Sequence, residues 1–251
     1  MTLRSKVRAG EQVSGAMVFE FFTPGIAQIM SHAGAEFIIY DMEHAGVSHE
    51  TLKWQVSACR GLPVTPLARP PSSTYDQIAR LLDIGIKGVM VPMVDDAEEA
   101  ARIVEACRYP PAGRRGAAFG FAHDDYAPGA PADKIAAANE EVLVIAQVET
   151  ERGLANVDAI AATEGVDVVW IGQFDLSNFI GVPGDFESPA YLDACEEIAA
   201  AARRHGKALG AMAPNPAWAA DYKRQGFEMI AAGTDMGMLS AGLSSILDGA
   251  K

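Results

Sequence analysis

Short apolar segments alternate with amphipathic segments along the whole chain. Continuous apolar runs are typical of strands buried on both faces of a parallel sheet, whereas a period near 3.6 residues indicates a helix with one buried face. The apolar runs predict eight strands: two lead to Glu149 and Asp175, and the others cover residues 15–19, 36–40, 64–68, 88–91, 207–211 and 228–231. The intervening segments predict helices at 24–33, 48–59, 74–83, 95–107, 132–140, 152–163, 188–205, 216–225 and 236–247.

Eight strands that alternate with helices predict an α/β fold of the (β/α)8 type, a TIM barrel. No linker-like segment divides the chain, so residues 1–251 are expected to form a single domain. A doubly wound sheet is the rival architecture, but such sheets usually carry a Gly-rich phosphate turn after the first strand. That position here has the sequence EFFTPG, so nucleotide binding has no support. Residues 1–13 are polar and are expected to form a short helix or arm that covers one end of the fold.

The net charge of −13 argues against partners such as nucleic acid or an anionic membrane surface. No apolar stretch reaches the roughly 18 residues of a transmembrane helix, and the N-terminus lacks the apolar core of a signal peptide. The sequence therefore predicts a cytoplasmic protein. Cys59, Cys107 and Cys195 lie in helical patterns without a pairing motif, which favours reduced thiols.

Two predicted neighbouring strands each end in a carboxylate, Glu149 after one and Asp175 after the next. The carboxyl ends of parallel strands carry the chemistry of α/β barrels, so both side chains are expected at the mouth of one pocket. Two converging carboxylates suit a divalent cation that keeps positions open for water and substrate. Either residue could instead serve only to cap the helix that follows.

The same face would collect one histidine, one arginine and further polar residues from other strands: Glu20, Asp41, Glu43, His44, Arg69, Gln147, Thr234 and Asp235. Glu43 could pair with Arg69 as a structural bridge, and a lone histidine is more often hydrogen-bonded than catalytic. Lys87 and Lys207 precede strands and so lie at the opposite end, and the other lysines fall on helices or termini. A Schiff base is therefore not expected, and activation of a carbonyl would need a metal as Lewis acid.

Several long motifs between residues 37 and 177 carry a resemblance to one family: YDMEHAG, PLARP, LLDIGIKGVMVPMVDDAEEA, CRYPPAGRRG, AQVETERGLANVDAI and GVDVVWIGQFDLS. In these motifs the sequence resembles the HpcH/HpaI aldolases. These metal-dependent, class II pyruvate aldolases include 4-hydroxy-2-oxoheptanedioate aldolase and 2-dehydro-3-deoxyglucarate aldolase. The resemblance implies an aldolase that forms or cleaves a bond between the enolate of pyruvate or hydroxypyruvate and an aldehyde.

The resemblance also assigns roles. It implies that Glu149 and Asp175 bind Mg²⁺, Mn²⁺ or Co²⁺, that His44 is the acid/base residue, and that Arg69 stabilises the transition state. Substrate binding would involve Arg69, Gln147, Gly172, Phe174 and Asp175. Asp83 would raise the basicity of His44.

Asp83 precedes the fourth strand and therefore lies at the wrong end of the barrel for His44 of the same chain. We expect it to act in a neighbouring subunit, or else to be a simple helix-end aspartate. The resemblance implies a homohexamer, a trimer of dimers, with the C-terminal helix packed on or exchanged with a neighbour. The apolar tail MGMLSAGLSSIL is compatible with that arrangement.

Two departures from the family leave the acceptor aldehyde open. Some members carry a tryptophan after the first strand, where this chain has GAMVFEFF, and the loop AAFGFAHDDY at residues 117–126 also differs. Its residues His123, Asp124 and Asp125 either line a pocket or form a solvated loop. Two other functions stay open as alternatives: a lyase for CoA esters like the citrate lyase β-subunit, and a non-catalytic barrel that binds a metabolite.

Overall fold

The eight predicted strands are all present and close into one parallel barrel in chain order. In the computed structural model, which describes residues 1–250, each strand pairs with the next and β8 pairs with β1. The strands are β1 Val13–Val18, β2 Phe37–Asp41, β3 Thr65–Arg69, β4 Gly88–Val91, β5 Leu143–Val148, β6 Val168–Ile171, β7 Ala208–Met212 and β8 Met229–Thr234. The predicted (β/α)8 barrel is confirmed.

Helices follow every strand and form the outer layer. They are α1 Leu3–Arg8, α2 Gly25–His32, α3 His49–Cys59, α4 Tyr75–Asp83, α5 Ala97–Cys107, α6 Pro131–Glu141, α7 Glu151–Ala155, α8 Val157–Ala162, α9 Gln173–Phe179, α10 Pro189–Arg204, α11 Pro216–Gln225 and α12 Asp235–Gly249. Two of these helices begin at a predicted N-cap residue: the side chain of Ser48 accepts from the Thr51 amide, and that of Asp96 accepts from the Glu99 amide. No helix in this range is long and apolar enough to cross a membrane.

Alternate strand residues face two different apolar layers, as the pleat of a strand requires. Ile39, Met90 and Trp170 point into the barrel, whereas Tyr40 and Val89 pack outwards against the helices. The strands are thus buried on both sides, which explains why they appear in the sequence as continuous apolar runs.

The N-terminal segment covers the amino end of the barrel, as expected. Arg4 on α1 is buried and donates through Nε to both carboxylate oxygens of Asp167, each at 2.9 Å. Leu3 and Val7 of the same helix join the apolar interior of the barrel. The helix therefore closes the end of the barrel opposite the strands' carboxyl termini.

Two details of the predicted helices were wrong. The helix expected at 152–163 is two helices, α7 and α8, which meet at Asn156, and the side-chain amide of Asn156 donates to the carbonyls of Asp95 and Arg152. No separate helix was predicted after β6, yet α9 begins directly after Gly172 and contains Asp175 in its first turn.

The long segment between α5 and α6 contains only a 3₁₀ helix, Ala122–Asp124. His123 hydrogen-bonds the Ala118 carbonyl, Asp124 pairs with Lys134, and Asp125 pairs with Arg60. These three side chains serve the segment itself and do not line the cavity at the barrel mouth within one chain. The three cysteines are unpaired.

Candidate active site

A cavity of about 430 Å³ lies at the carboxyl end of the barrel. Its floor is apolar, formed by Met17, Met90 and Trp170 from the top of the barrel interior. Seven of the eight predicted site residues line it together: His44, Arg69, Gln147, Glu149, Gly172, Phe174 and Asp175. Among residues 1–250, no lysine lines this cavity.

Glu149 follows β5 and is 1% exposed. Its Oε1 accepts from the Met93 backbone amide at 2.8 Å, and its Oε2 accepts from Nε2 of Gln147. Met93 has a positive φ of 56°, an unusual backbone conformation for this residue type, and that turn brings its N–H to the carboxylate. Glu149 is therefore held on one side by Gln147 of its own strand and on the other by the backbone of Met93, which follows β4.

Burial raises the pKa of Glu149 to about 7. The hydrogen bonds from Gln147 and Met93 oppose this shift, whereas the negative charges of Glu43 and Asp175 add to it. The carboxylate thus carries a share of protons near neutral pH unless a cation balances its charge. This is the electrostatic setting expected where a positive group completes a site.

Asp175 reaches the same cavity from the first turn of α9 rather than from a strand end. Residues 1–250 contain no group of three or more His, Cys, Asp or Glu side chains arranged to hold a metal ion. Two carboxylates in one cavity nevertheless match a Mg²⁺-type ion, which takes one or two protein carboxylates and leaves its other positions to water and substrate. The buried Oε1 of Gln147 also has no hydrogen-bond partner among these residues. The donor set therefore fits a divalent cation.

A buried ion cluster forms the opposite side of the cavity. Asp41 and Arg69 are in register at the ends of β2 and β3, and Nε of Arg69 donates to Oδ1 of Asp41. Nη1 of Arg69 lies 2.9 Å from Oε2 of Glu43. The ring of Phe19 lies over the guanidinium, 5.4 Å from Cζ to the ring centroid. Arg69 is thus fixed by two carboxylates and one aromatic ring.

His44 stands at the rim, with 56% of its side chain exposed. Its backbone amide donates to Oδ2 of Asp41 at 2.8 Å, and its Nε2 lies 3.6 Å from Oε2 of Glu43. Burial raises the pKa of Glu43, although the charges of Arg69 and His44 oppose the shift. The imidazole is therefore anchored through its backbone while its ring stays accessible to a ligand.

Asp83 does not join these residues within one chain. It ends α4 near the amino end of the barrel, where Nη2 of Arg115 donates to its Oδ1 at 2.8 Å. Arg115 is itself buried and lies over the ring of Tyr109. The sequence-based expectation that Asp83 is remote from His44 of its own chain agrees with this position.

Sequence reasoning assigned no role to three residues that build the site. Asp41 orients Arg69 and also the His44 turn, residues 42–44, whose His44 amide donates to it. Its pairing with Arg69 follows from the register of the adjacent strands β2 and β3. The Met93 amide has no signal in the sequence, because a positive φ at methionine depends on the surrounding fold. Asp235 is a buried carboxylate at the start of α12. Its position after the eighth strand indicated this face of the barrel but not the groups that it contacts.

The fold and the position of the cavity are those of barrel enzymes, whose reactions take place at the carboxyl ends of the strands. The sequence profile of the HpcH/HpaI aldolase/citrate lyase family matches residues 17–241. A 5-keto-4-deoxy-D-glucarate aldolase of Salmonella arizonae is 36% identical over 240 residues, 96% of this chain and 93% of that protein.

Solved structures agree. An HpcH/HpaI aldolase from Desulfitobacterium hafniense DCB-2 superimposes with a TM-score of 0.95 at 31% identity and covers 100% of this chain and 97% of that one. An HpcH/HpaI aldolase/citrate lyase family protein from Burkholderia cenocepacia J2315 superimposes with a TM-score of 0.92 at 30% identity. The match covers 99% of this chain and 98% of that one. The chain belongs to the HpcH/HpaI aldolase/citrate lyase family. It is a carbon–carbon lyase of the aldolase class, and the resemblance found in the sequence is confirmed.

Proposed function

We propose that the protein is a divalent-metal-dependent aldolase that joins the enolate of a 2-oxo acid, pyruvate or hydroxypyruvate, to an aldehyde, or cleaves the same bond in reverse. One observation carries the proposal: the carboxylates Glu149 and Asp175 share a cavity with the fixed guanidinium of Arg69 and the accessible imidazole of His44. Since none of the lysines among residues 1–250 lines that cavity, the carbonyl would be activated by other positive charge.

Glu149 and Asp175 would hold Mg²⁺, Mn²⁺ or Co²⁺, with the Gln147 side-chain oxygen close to the site. When bound, the ion would supply positive charge next to the ketone oxygen of the 2-oxo acid and thereby favour loss of a C3 proton. The first-turn amides of α9, at Gln173, Phe174 and Asp175, lack partners within the helix and would bind the substrate carboxylate beside Gly172. Gln147 would complete the contacts to the donor.

Arg69 would stabilise the negative charge that develops on the enolate oxygen, since it is held in one orientation before substrate arrives. His44 would move the proton to and from the aldol hydroxyl, because its exposed ring can reach a ligand above the cavity floor. Asp41 touches no substrate in this scheme. It keeps Arg69 and the His44 turn in position.

Asp83 would act on His44 of a neighbouring subunit, in a homohexamer built as a trimer of dimers. Support comes from α12, in which only Asp235 is buried within the chain. Beyond Met236, which lines the cavity, its exposed apolar residues form a long face: Met238, Leu239, Leu243, Ile246 and Leu247. A helix with such a face is expected to pack against another subunit or to be exchanged with it.

The two alternatives fit the cavity less well. A CoA ester needs cationic groups for its phosphates, yet among residues 1–250 the only basic side chains that line the cavity are His44 and Arg69, and Arg69 is already paired with Asp41 and Glu43. A non-catalytic barrel would not require a carboxylate with a pKa near 7 beside an immobilised guanidinium. The relatives' name suggests 5-keto-4-deoxy-D-glucarate as one compound to test, and a cytoplasmic location fits such metabolism.

Loss of the pyruvate methyl signal in D2O, followed by proton NMR, tests the proposal. Exchange of the C3 protons should require added Mg²⁺ or Mn²⁺, stop with EDTA, and become at least about a hundredfold slower in Glu149→Gln. Glu141→Gln is the matched control, because it removes a glutamate that pairs with Lys87 at the other end of the barrel. No exchange of pyruvate or hydroxypyruvate with the ion bound would overturn the proposal.

A further inference from the structure

Asp235 is a buried carboxylate, 4% exposed, at the first position of α12. Its Oδ1 accepts from the backbone amides of Phe19 at 3.1 Å and Met236 at 3.0 Å. Its Oδ2 accepts from the amides of Glu20 at 3.0 Å and Phe21 at 2.7 Å. One side chain therefore binds four backbone N–H groups that belong to two separate parts of the barrel.

Three of these amides lie just beyond the end of β1, where the strand ladder has stopped. β1 ends at Val18 and is irregular against β8, since the register shifts between Gly15 and Met17. The carboxylate of Asp235 accepts the hydrogen bonds that a neighbouring strand would otherwise accept, so the chain after β1 stays bonded to the end of β8 for three more residues. The segment 19–21 is thereby tied to the start of α12.

The general preference for acidic residues at helix N-termini does not explain why Asp235 is buried and bonded to the segment after β1. Acids are favoured near helix N-termini, but that effect needs neither burial nor contact with another strand. The cap of α12 is already supplied by Thr234, whose side chain accepts from the Gly237 amide. Moreover, a carboxylate buried at this depth is costly unless all its oxygens are hydrogen-bonded, and here the partners come mainly from the β1 segment.

The segment that Asp235 holds is one wall of the active-site cavity. Phe19 lines the cavity and covers the guanidinium of Arg69, and Thr234 and Met236 line it from the other side of Asp235. In this eight-stranded barrel β1 lies directly across the mouth from β5, which leads to Glu149, and β8 lies two strands from β6, after which Asp175 follows. A 2-oxo acid bound beside those carboxylates leaves the β1/β8 side for the second substrate.

We propose that Asp235 is a positioning residue, which fixes Phe19 and Met236 as the wall against which the acceptor aldehyde packs. The inference rests on the proposed aldolase function for the identity of that second substrate. Arg69 keeps its own ties to Asp41 and Glu43, so loss of the Asp235 contacts loosens the acceptor wall more than it disturbs the donor side. Donor enolisation and acceptor binding should therefore respond differently.

Asp235→Asn is the test variant, because it keeps the shape of the side chain and removes the charge and one acceptor oxygen. Asp167→Asn is the matched control: Asp167 is equally buried and accepts from Arg4 and the Val144 amide, but at the amino end of the barrel. Both variants lose a buried carboxylate, so a general loss of stability affects both. Only Asp235→Asn should alter the cavity wall.

Hydrogen–deuterium exchange of peptides that span residues 17–24, measured by mass spectrometry on the intact assembly, reports the positioning directly. We expect exchange there to be at least about tenfold faster in Asp235→Asn than in the native chain, and unchanged in Asp167→Asn. Equal protection of these amides in native protein and Asp235→Asn would overturn the inference, whatever the activity.

Kinetics supply the functional readout, with pyruvate as donor and glycolaldehyde as the acceptor probe. In Asp235→Asn we expect the KM for glycolaldehyde to rise about tenfold while the pyruvate proton exchange rate changes less than about threefold. Asp167→Asn should leave both values near those of the native enzyme. Equal changes in both values, or no change in either, would refute the role of Asp235. Absence of pyruvate exchange in the native protein would instead refute the proposed function, and the hydrogen-exchange result would still decide the positioning.

Discussion

Gly172 approaches Glu149 so closely that a Cβ atom on the glycine would lie 2.0 Å from Oε2 of the carboxylate. Glu149 is held in place by Met93 and Gln147, and Gly172 donates to the Val148 carbonyl at 3.3 Å. Neither partner can retreat without breaking one of these bonds. The glycine therefore allows the carboxylate after β5 and the first turn of α9 to meet at one point.

We predict that Gly172→Ala lowers the affinity for Mn²⁺ about 10- to 100-fold, because the added methyl group pushes Glu149 or α9 out of position. Overpacking should also lower the free energy of unfolding by about 1–3 kcal/mol. Binding can be measured by electron paramagnetic resonance of free Mn²⁺, and stability by urea unfolding. Gly25→Ala is the control, since a Cβ there meets open space. Unchanged Mn²⁺ binding in Gly172→Ala would contradict the assignment of Glu149 as a ligand.

The pH dependence of stability should report Glu149 in protein treated with EDTA. Its pKa is about 7 in the folded chain, against about 4.3 for an unperturbed glutamate. The folded state thus keeps a proton that the unfolded state releases. The contribution is fully present below about pH 4, and it is lost as the pH rises towards 7.

We therefore predict that the free energy of unfolding falls by about 2–3 kcal/mol between pH 4.5 and 7.5, and that Glu149→Gln removes most of this slope. Urea unfolding at several pH values would measure it. Added Mg²⁺ should flatten the native profile, since a cation favours the ionised carboxylate. Parallel profiles for native protein and Glu149→Gln would be incompatible with the raised pKa.

Removal of the Asp41 charge should disable the site without removing any group that contacts substrate. In Asp41→Asn, Arg69 loses the partner of its Nε, and the His44 turn loses a charged acceptor. We expect pyruvate exchange to slow about a hundredfold and the unfolding free energy to drop by about 3–5 kcal/mol, as for a broken buried ion pair. Exchange and thermal unfolding measure the two effects. Glu36→Gln, which breaks the partly exposed pair with Lys6, is the control and should affect neither strongly.

The strand pattern and much of the site were predictable because they depend on properties that are local in sequence. Strands buried on both faces leave continuous apolar runs, and in a parallel barrel each run delivers its next polar residue to the same end. This logic brings Arg69, Gln147 and Glu149 together, and the register of β2 and β3 adds Asp41.

Other features depend on contacts between distant segments and left no local signal. Asp175 was expected at a strand end, but it belongs to a short helix that begins where Gly172 packs on Glu149. The positive φ of Met93 follows from the turn that presents its amide to Glu149. Three of the four amides that Asp235 binds lie more than 200 residues away in the chain, so no pattern near residue 235 could identify them.

Mixed oligomers would decide whether Asp83 acts across a subunit boundary. Within one chain, Asp83 and His44 occupy opposite ends of the barrel, and Asp83 pairs with Arg115. We predict that Asp83→Asn and His44→Asn each reduce pyruvate exchange at least about tenfold when assembled alone. Oligomers formed by unfolding and refolding the two variants together should regain part of the native rate, because some sites then receive His44 from one subunit and Asp83 from its neighbour. A mixture no more active than the sum of its separate variants would mean that the two residues do not share a site. A mixture of His44→Asn with Glu149→Gln is the control: both residues belong to the cavity of the same chain, so every site in the mixed oligomers lacks one of them and no activity should be regained.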